Sequence, residues 1–192
     1  MTAANIITMV RILLIPVFML LSYHDGSFSD MLALAIFVLA SFTDGLDGYI
    51  ARKYKQVTNF GKFIDPLADK LLVMSALLIF VEQGVIPAWT TAIVLAREFT
   101  VTSLRMVAAA DGIVIQAAMW GKIKTFAQII CIVLLMLIPE PYLLFGPVTL
   151  QHLCIAVMVA VSVISCVDYV ARNFSVIKDG FFQQPTDTNG KV

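Results

Sequence analysis

The sequence predicts an all-α fold: an integral membrane bundle of six transmembrane helices with its active site at the cytoplasmic side. Three observations predict it. Of 192 residues, 60% are hydrophobic and 14% charged, whereas an ordinary soluble domain carries about 25% charged residues. Mean hydropathy is +0.91. Apolar runs of about 20 residues, the length that crosses hydrocarbon, recur along almost the whole chain and leave little room for a separate soluble domain.

Polar breaks between the runs delimit the helices in order. The first, near 6–23, ends at a connection over 23–30 that holds two acids. It lacks a basic leader and a small-residue cleavage site, and Arg11 interrupts it, so it reads as an uncleaved helix rather than a signal peptide. The second, near 30–51, runs into four bases over 52–62, and the third, near 62–83, into a connection at 81–88 whose one charge is Glu82. The fourth, near 87–109, leads to three bases against one acid over 105–124. The fifth, near 121–139, is followed by Glu140 alone, and the sixth, near 148–171, by Arg172 and Lys178. By the positive-inside rule both termini and the 52–62 and 105–124 connections face the cytoplasm, so the chain is expected to be a multi-pass protein of the cytoplasmic membrane.

Residues 1–172 form one domain on this reading, and 173–192 a polar, mobile cytoplasmic tail whose composition cannot bury a core. Formal net charge is zero, with neither basic arm nor acidic tail, so no nucleic-acid partner is expected. Cys131, Cys154 and Cys166 sit in apolar stretches without zinc or redox spacing and read as small buried side chains.

Four aspartates carry the chemistry. Asp44 and Asp47 are three residues apart and Asp65 and Asp69 four apart, so each pair shares a helix face, and the hairpin between the helices brings the pairs together. About 14 residues precede Asp44 in its helix, which leaves Asp44 and Asp47 inside the inner half of the bilayer. Gly48 and Gly61, which lack Cβ, permit close approach of a ligand or neighbouring backbone. A carboxylate at membrane depth costs about 2.5–3.5 kcal/mol on the insertion scale, so four of them call for cations. Ordinary pairing with Arg52, Lys62 and Lys70 is the competing account, but three bases do not match four acids, and long basic side chains near helix ends can snorkel. Oxygen-only ligands select a hard ion, Mg2+ or Mn2+, over zinc. Two such ions bridged by shared aspartates would clamp both the attacking and the leaving oxygen of a phosphoryl transfer.

The run Asp44-Gly-Leu-Asp47-Gly48-Tyr-Ile-Ala51-Arg52, then eight residues, then Gly61-Lys-Phe-Ile-Asp65-Pro-Leu-Ala-Asp69 resembles the signature of the CDP-alcohol phosphatidyltransferase family at each of its fixed positions. The resemblance implies six transmembrane helices, a homodimer, two metal ions per subunit on Asp44, Asp47, Asp65 and Asp69, and CDP held near Gly48, Ala51 and Arg52. It also makes Asp69 the candidate general base. With Asp47, Gly61, Asn5 and Thr8, those CDP-binding residues complete the set expected to hold CDP-diacylglycerol.

Three further patches are similar to segments of the bacterial phosphatidylglycerophosphate synthases within that family: Asn5 through Arg11 with Pro16, Ala96-Arg97-Glu98 through Arg105, and Gly121-Lys122-Ile-Lys124-Thr125. They imply glycerol 3-phosphate as the acceptor alcohol. The charges agree, because a phosphate dianion needs fixed cations away from the metal, and Arg97, Arg105, Lys122 and Lys124 supply them. Arg11, one turn into an apolar helix, needs an internal partner or a phosphate. Blander roles stand beside these: topology signals for Arg105 and Lys124, pairing with Glu98 for Arg97, a helix cap for Asn5 and Thr8, headgroup attraction for Lys53 and Lys55, and for Asp168 a bond to Arg172. His24 and His152 fall at external helix ends and receive no function. Two rival functions remain open: the same chemistry on phosphatidylglycerol or inositol phosphate, and a cation transporter. Transporter sites lie near the bilayer midplane, whereas these acids cluster at one face.

Overall fold

The computed structural model describes residues 3–24, 26–53, 59–110, 119–138, 143–145 and 148–174; the expected mobile tail lies outside them except for its first two residues. Within the helices, the side chains of 3–5, 44–53, 59–63, 65, 66, 69 and 110 are also outside the described set. Among the described residues six helices form in the expected order: α1 Ala3–Ser22, α2 Ser27–Lys53, α3 Asn59–Glu82, α4 Ala88–Ala110, α5 Met119–Leu137 and α6 Leu150–Arg172. Each lies within a few residues of the range read from the polar breaks. The helices agree with the all-α expectation, and one short element stands beside them. A short antiparallel hairpin, β1 Leu143–Phe145 with β2 Val148–Thr149, precedes α6. Runs of three and two residues are too short to leave a periodic signal in sequence.

Local chemistry explains several ends. Gly84, at φ 71°, lies just beyond α3, where the left-handed region suits a residue without Cβ. Val85 N there donates to Phe80 O at 2.8 Å, which satisfies a carbonyl of the last turn. Thr149 caps α6: its hydroxyl accepts from His152 N at 3.3 Å, while Thr149 N donates to His152 Nδ1 at 3.4 Å. His152 therefore has a structural role that its sequence position did not reveal. Pro16 sits inside α1, as transmembrane helices tolerate.

Helix association rests on close packing, since lipid tails are as apolar as leucine. Ala33 and Ala40 on α2 and Ala76 on α3 are buried, and these small side chains let the backbones approach. Phe18 and Phe37 pack with ring centroids 5.7 Å apart. The outside is apolar: Phe28 is 81% exposed and Met31 72%, with Leu13 and Phe126 close behind. A soluble monomer does not display so many large apolar side chains around its helices. Helices α5 and α6 are long and apolar enough to cross a membrane, and α1 and α2 hold shorter apolar stretches, Ile6–Ser22 and Ser27–Thr43. Charged residues lower the apolar character of α3 and α4.

Asp30 and Ala33, early in α2, line a cavity of about 340 Å³ together with Ala76, Ile79 and Phe80, late in α3. The aspartates fall in the other halves of these two helices, late in α2 and early in α3. At the cavity end, Tyr23 Oη donates to Glu82, and Gln83 Nε2 to Ser22 O at 3.1 Å, which ties α1 to α3.

Candidate functional site

Asp44 and Asp47 fall late in α2 and Asp65 and Asp69 early in α3. Their side chains lie outside the described residues, as do those of Asn5, Gly48, Ala51, Arg52 and Gly61. Among the described residues, no group of three carboxylate, imidazole or thiol side chains gathers as a metal site. The donor set itself fits a hard divalent ion: four carboxylates, no sulfur and no imidazole.

Thr8 and Arg11 are each 1% exposed on α1. Because α1 begins at Ala3, Thr8 stands in its second turn, and the capping role is excluded for it. Spaced three apart, Thr8 and Arg11 share a face, and that face is inward.

The expected acceptor cations do not gather at one point. Arg97 and Lys124 converge on Glu98, whose Oε1 accepts from Arg97 Nη1 at 2.8 Å and from Lys124 Nζ. Arg97 Nη2 also donates to Ser165 Oγ on α6, while its buried Nε has no partner. Gly121, at the start of α5, lies where a Cβ would stand 3.7 Å from Arg97 Nη2, in ordinary contact. Lys124 is 4% exposed although it sits in a largely apolar helix. The pairing of Arg97 with Glu98 foreseen from their adjacency is present, but it is one arm of a three-residue cluster rather than a local neutralisation.

Arg105 and Lys122 go elsewhere. Arg105 is exposed, and its guanidinium lies over the Tyr169 ring of α6 at 5.5 Å from the centroid. Lys122 is exposed on α5. Two residues along a helix turn a side chain by about 200°, so Lys122 and Lys124 cannot face the same way. Asp168 bonds Arg172 Nε at 2.7 Å, the local pair read from their spacing. The three cysteines are free, with Cys131 and Cys154 buried.

Sequence reasoning did not assign Lys70, Glu98, Thr125 or Gln128 to the site. They line a cavity of about 30 Å³ between α3, α4 and α5, beside Lys124. One signal was available. Gln128 stands one turn from Lys124, on the same face of an apolar helix, where a polar side chain calls for a partner.

The family model described as CDP-alcohol phosphatidyltransferase matches residues 1–167. The chain is 44% identical over 186 residues to a Bacillus subtilis protein named CDP-diacylglycerol--glycerol-3-phosphate 3-phosphatidyltransferase, covering 91% of this chain and 96% of that one. A Mycobacterium tuberculosis protein named probable phosphatidylglycerophosphate synthase is 42% identical over 173 residues, 88% of this chain and 80% of its own length. A Rickettsia typhi protein with the same name as the Bacillus one is 42% identical over 133 residues, 69% of this chain and 75% of its own.

Proposed function

The chain belongs to the CDP-alcohol phosphatidyltransferase family, and from that premise we propose that it transfers the phosphatidyl group of CDP-diacylglycerol to sn-glycerol 3-phosphate, giving phosphatidylglycerophosphate and CMP. The observation that carries the acceptor is the convergence of Arg97 and Lys124, from two helices, on the partly buried carboxylate of Glu98. One carboxylate balances only one of the two cations; an uncharged alcohol has no use for the other, and a phosphate dianion does. The names of relatives at 41–44% identity point to the same acceptor.

The donor enters sideways from the inner leaflet, so both acyl chains stay in lipid while Arg52 and backbone near Gly48 hold the nucleotide. Magnesium or manganese on Asp44, Asp47, Asp65 and Asp69, two ions per subunit, supplies neutralisation of diphosphate charge when bound. Asp69 accepts the proton of the acceptor's 1-hydroxyl as that oxygen attacks the β-phosphorus. The bond from that phosphorus to the CMP oxygen breaks, and direct attack inverts the phosphorus. Arg97 and Lys124 hold the acceptor's phosphate, which fixes the hydroxyl for attack and contributes through orientation. Six membrane spans, both termini and the aspartates at the cytoplasmic face, and a homodimer belong to the same reading. The charge alternation of the connections supports the orientation.

Purified protein with CDP-diacylglycerol and labelled glycerol 3-phosphate tests it. Labelled phosphatidylglycerophosphate and equimolar CMP are expected. CMP release without label in lipid would mean another acceptor, and no metal-dependent CMP release at all would remove the transferase reading.

A further inference from the structure

Gln128 is 1% exposed, and its Nε2 has no hydrogen-bond partner. An amide donor left bare inside a membrane bundle is costly, so an oxygen from outside the chain must meet it. The amide lines the small cavity with Lys70, Glu98, Lys124 and Thr125. Two ammonium groups and an amide donor therefore stand around it against one carboxylate, and that carboxylate already accepts from Lys124 and Arg97. The cavity, of about 30 Å³, has room for an oxygen the size of a water. A phosphate dianion offers only acceptors, and the unpartnered Gln128 Nε2 is a donor.

We infer that Gln128 is a specificity-determining residue of the acceptor site: with Lys70 and Lys124 it takes one phosphate oxygen of the acceptor into the cavity between α3, α4 and α5. This rests on the phosphatidyl-transfer reading for the identity of the acceptor, and on the structure alone for the anion subsite. Lys70 follows Asp69 directly in α3, so the subsite draws on the same helix as the proposed base.

The test is Gln128→Met, which keeps length and volume and removes the donor, measured on full-length protein in detergent. KM for glycerol 3-phosphate should rise by about tenfold or more, the scale of one hydrogen bond to a charged group. KM for CDP-diacylglycerol and kcat should stay within about twofold. A rise in KM for CDP-diacylglycerol instead would assign the oxygen to the donor's diphosphate and overturn the inference. Unchanged KM for both substrates would make Gln128 the holder of a structural water only, with the same consequence. Where Gln128→Met does not accumulate, Gln128→Glu keeps size and polarity but repels a phosphate, and it should raise the same KM further. Thermal stabilisation by inorganic phosphate needs no turnover and separates the two claims. If wild-type protein does not incorporate glycerol 3-phosphate, yet phosphate raises its unfolding midpoint and fails to raise that of Gln128→Met, the acceptor assignment falls while the anion subsite stands. A midpoint raised equally in both proteins overturns the subsite.

Discussion

Replacing Lys124 by methionine, with Lys122→Met as its companion, separates two lysines that the sequence places side by side. Lys124 is buried, and its ammonium reaches Glu98 across to α4; Lys122 points outward. If Lys124 holds the acceptor's phosphate, its loss removes one charge-assisted hydrogen bond, worth about 1.5–3 kcal/mol, which corresponds to about a 10- to 150-fold rise in KM for glycerol 3-phosphate. The stability cost should be smaller than for a typical broken buried pair, about 3–5 kcal/mol. Glu98 keeps Arg97 at 2.8 Å and is 18% exposed, so its carboxylate is not stranded. Lys122→Met should change KM by less than about twofold, the scale of a solvated surface charge. Initial rates of label incorporation at saturating CDP-diacylglycerol give both values, and thermal unfolding in detergent gives the stability. Equal effects of the two substitutions would refute the reasoning, because they would show that local positive charge rather than the inward direction of Lys124 sets acceptor affinity.

Asp69→Asn should lower kcat by about 10²–10⁴-fold, the range for a general base, with metal binding followed separately by calorimetry; near wild-type turnover with metal still bound would dismiss Asp69 as base. Chelation of divalent ions should abolish CMP release, and Mg2+ or Mn2+ should restore it, whereas restoration by Zn2+ alone would contradict an all-carboxylate site. Phe37→Ala, at a position with no exposure and in contact with Phe18, should cost about 3–5 kcal/mol by cavity formation, seen as a lower unfolding midpoint; an unchanged midpoint would count against the α1–α2 packing. The Glu82 carboxylate beside Tyr23 holds its phenol above the ordinary value of 10. Since the folded-state pKa is the raised one, the tie between α1 and α3 is fully present below pH 10 and is lost as pH climbs through the folded value. Ultraviolet titration of Glu82→Gln should show Tyr23 ionising earlier, and an unshifted curve would deny the bond.

The sequence by itself determined the six helices and the aspartate pairs, because hydrocarbon thickness imposes a run length and helical pitch imposes a three- or four-residue spacing, both local properties. It also placed the family motif, which is contiguous across α2 and α3. It did not determine which cations work together. Arg97, Arg105, Lys122 and Lys124 look equivalent in a string of letters, since each is a base near the same helix ends. Only the packing of α4 against α6, with α5 beside them, decided that Arg97 and Lys124 meet at Glu98, that Arg105 lies on Tyr169 and that Lys122 faces out. The partners come from helices far apart in sequence, and a half-turn of rotation about a helix axis sends a side chain to the opposite side. Gln128 was missed for the same reason: a lone polar residue in an apolar run acquires a meaning only when the tertiary structure shows what stands opposite it.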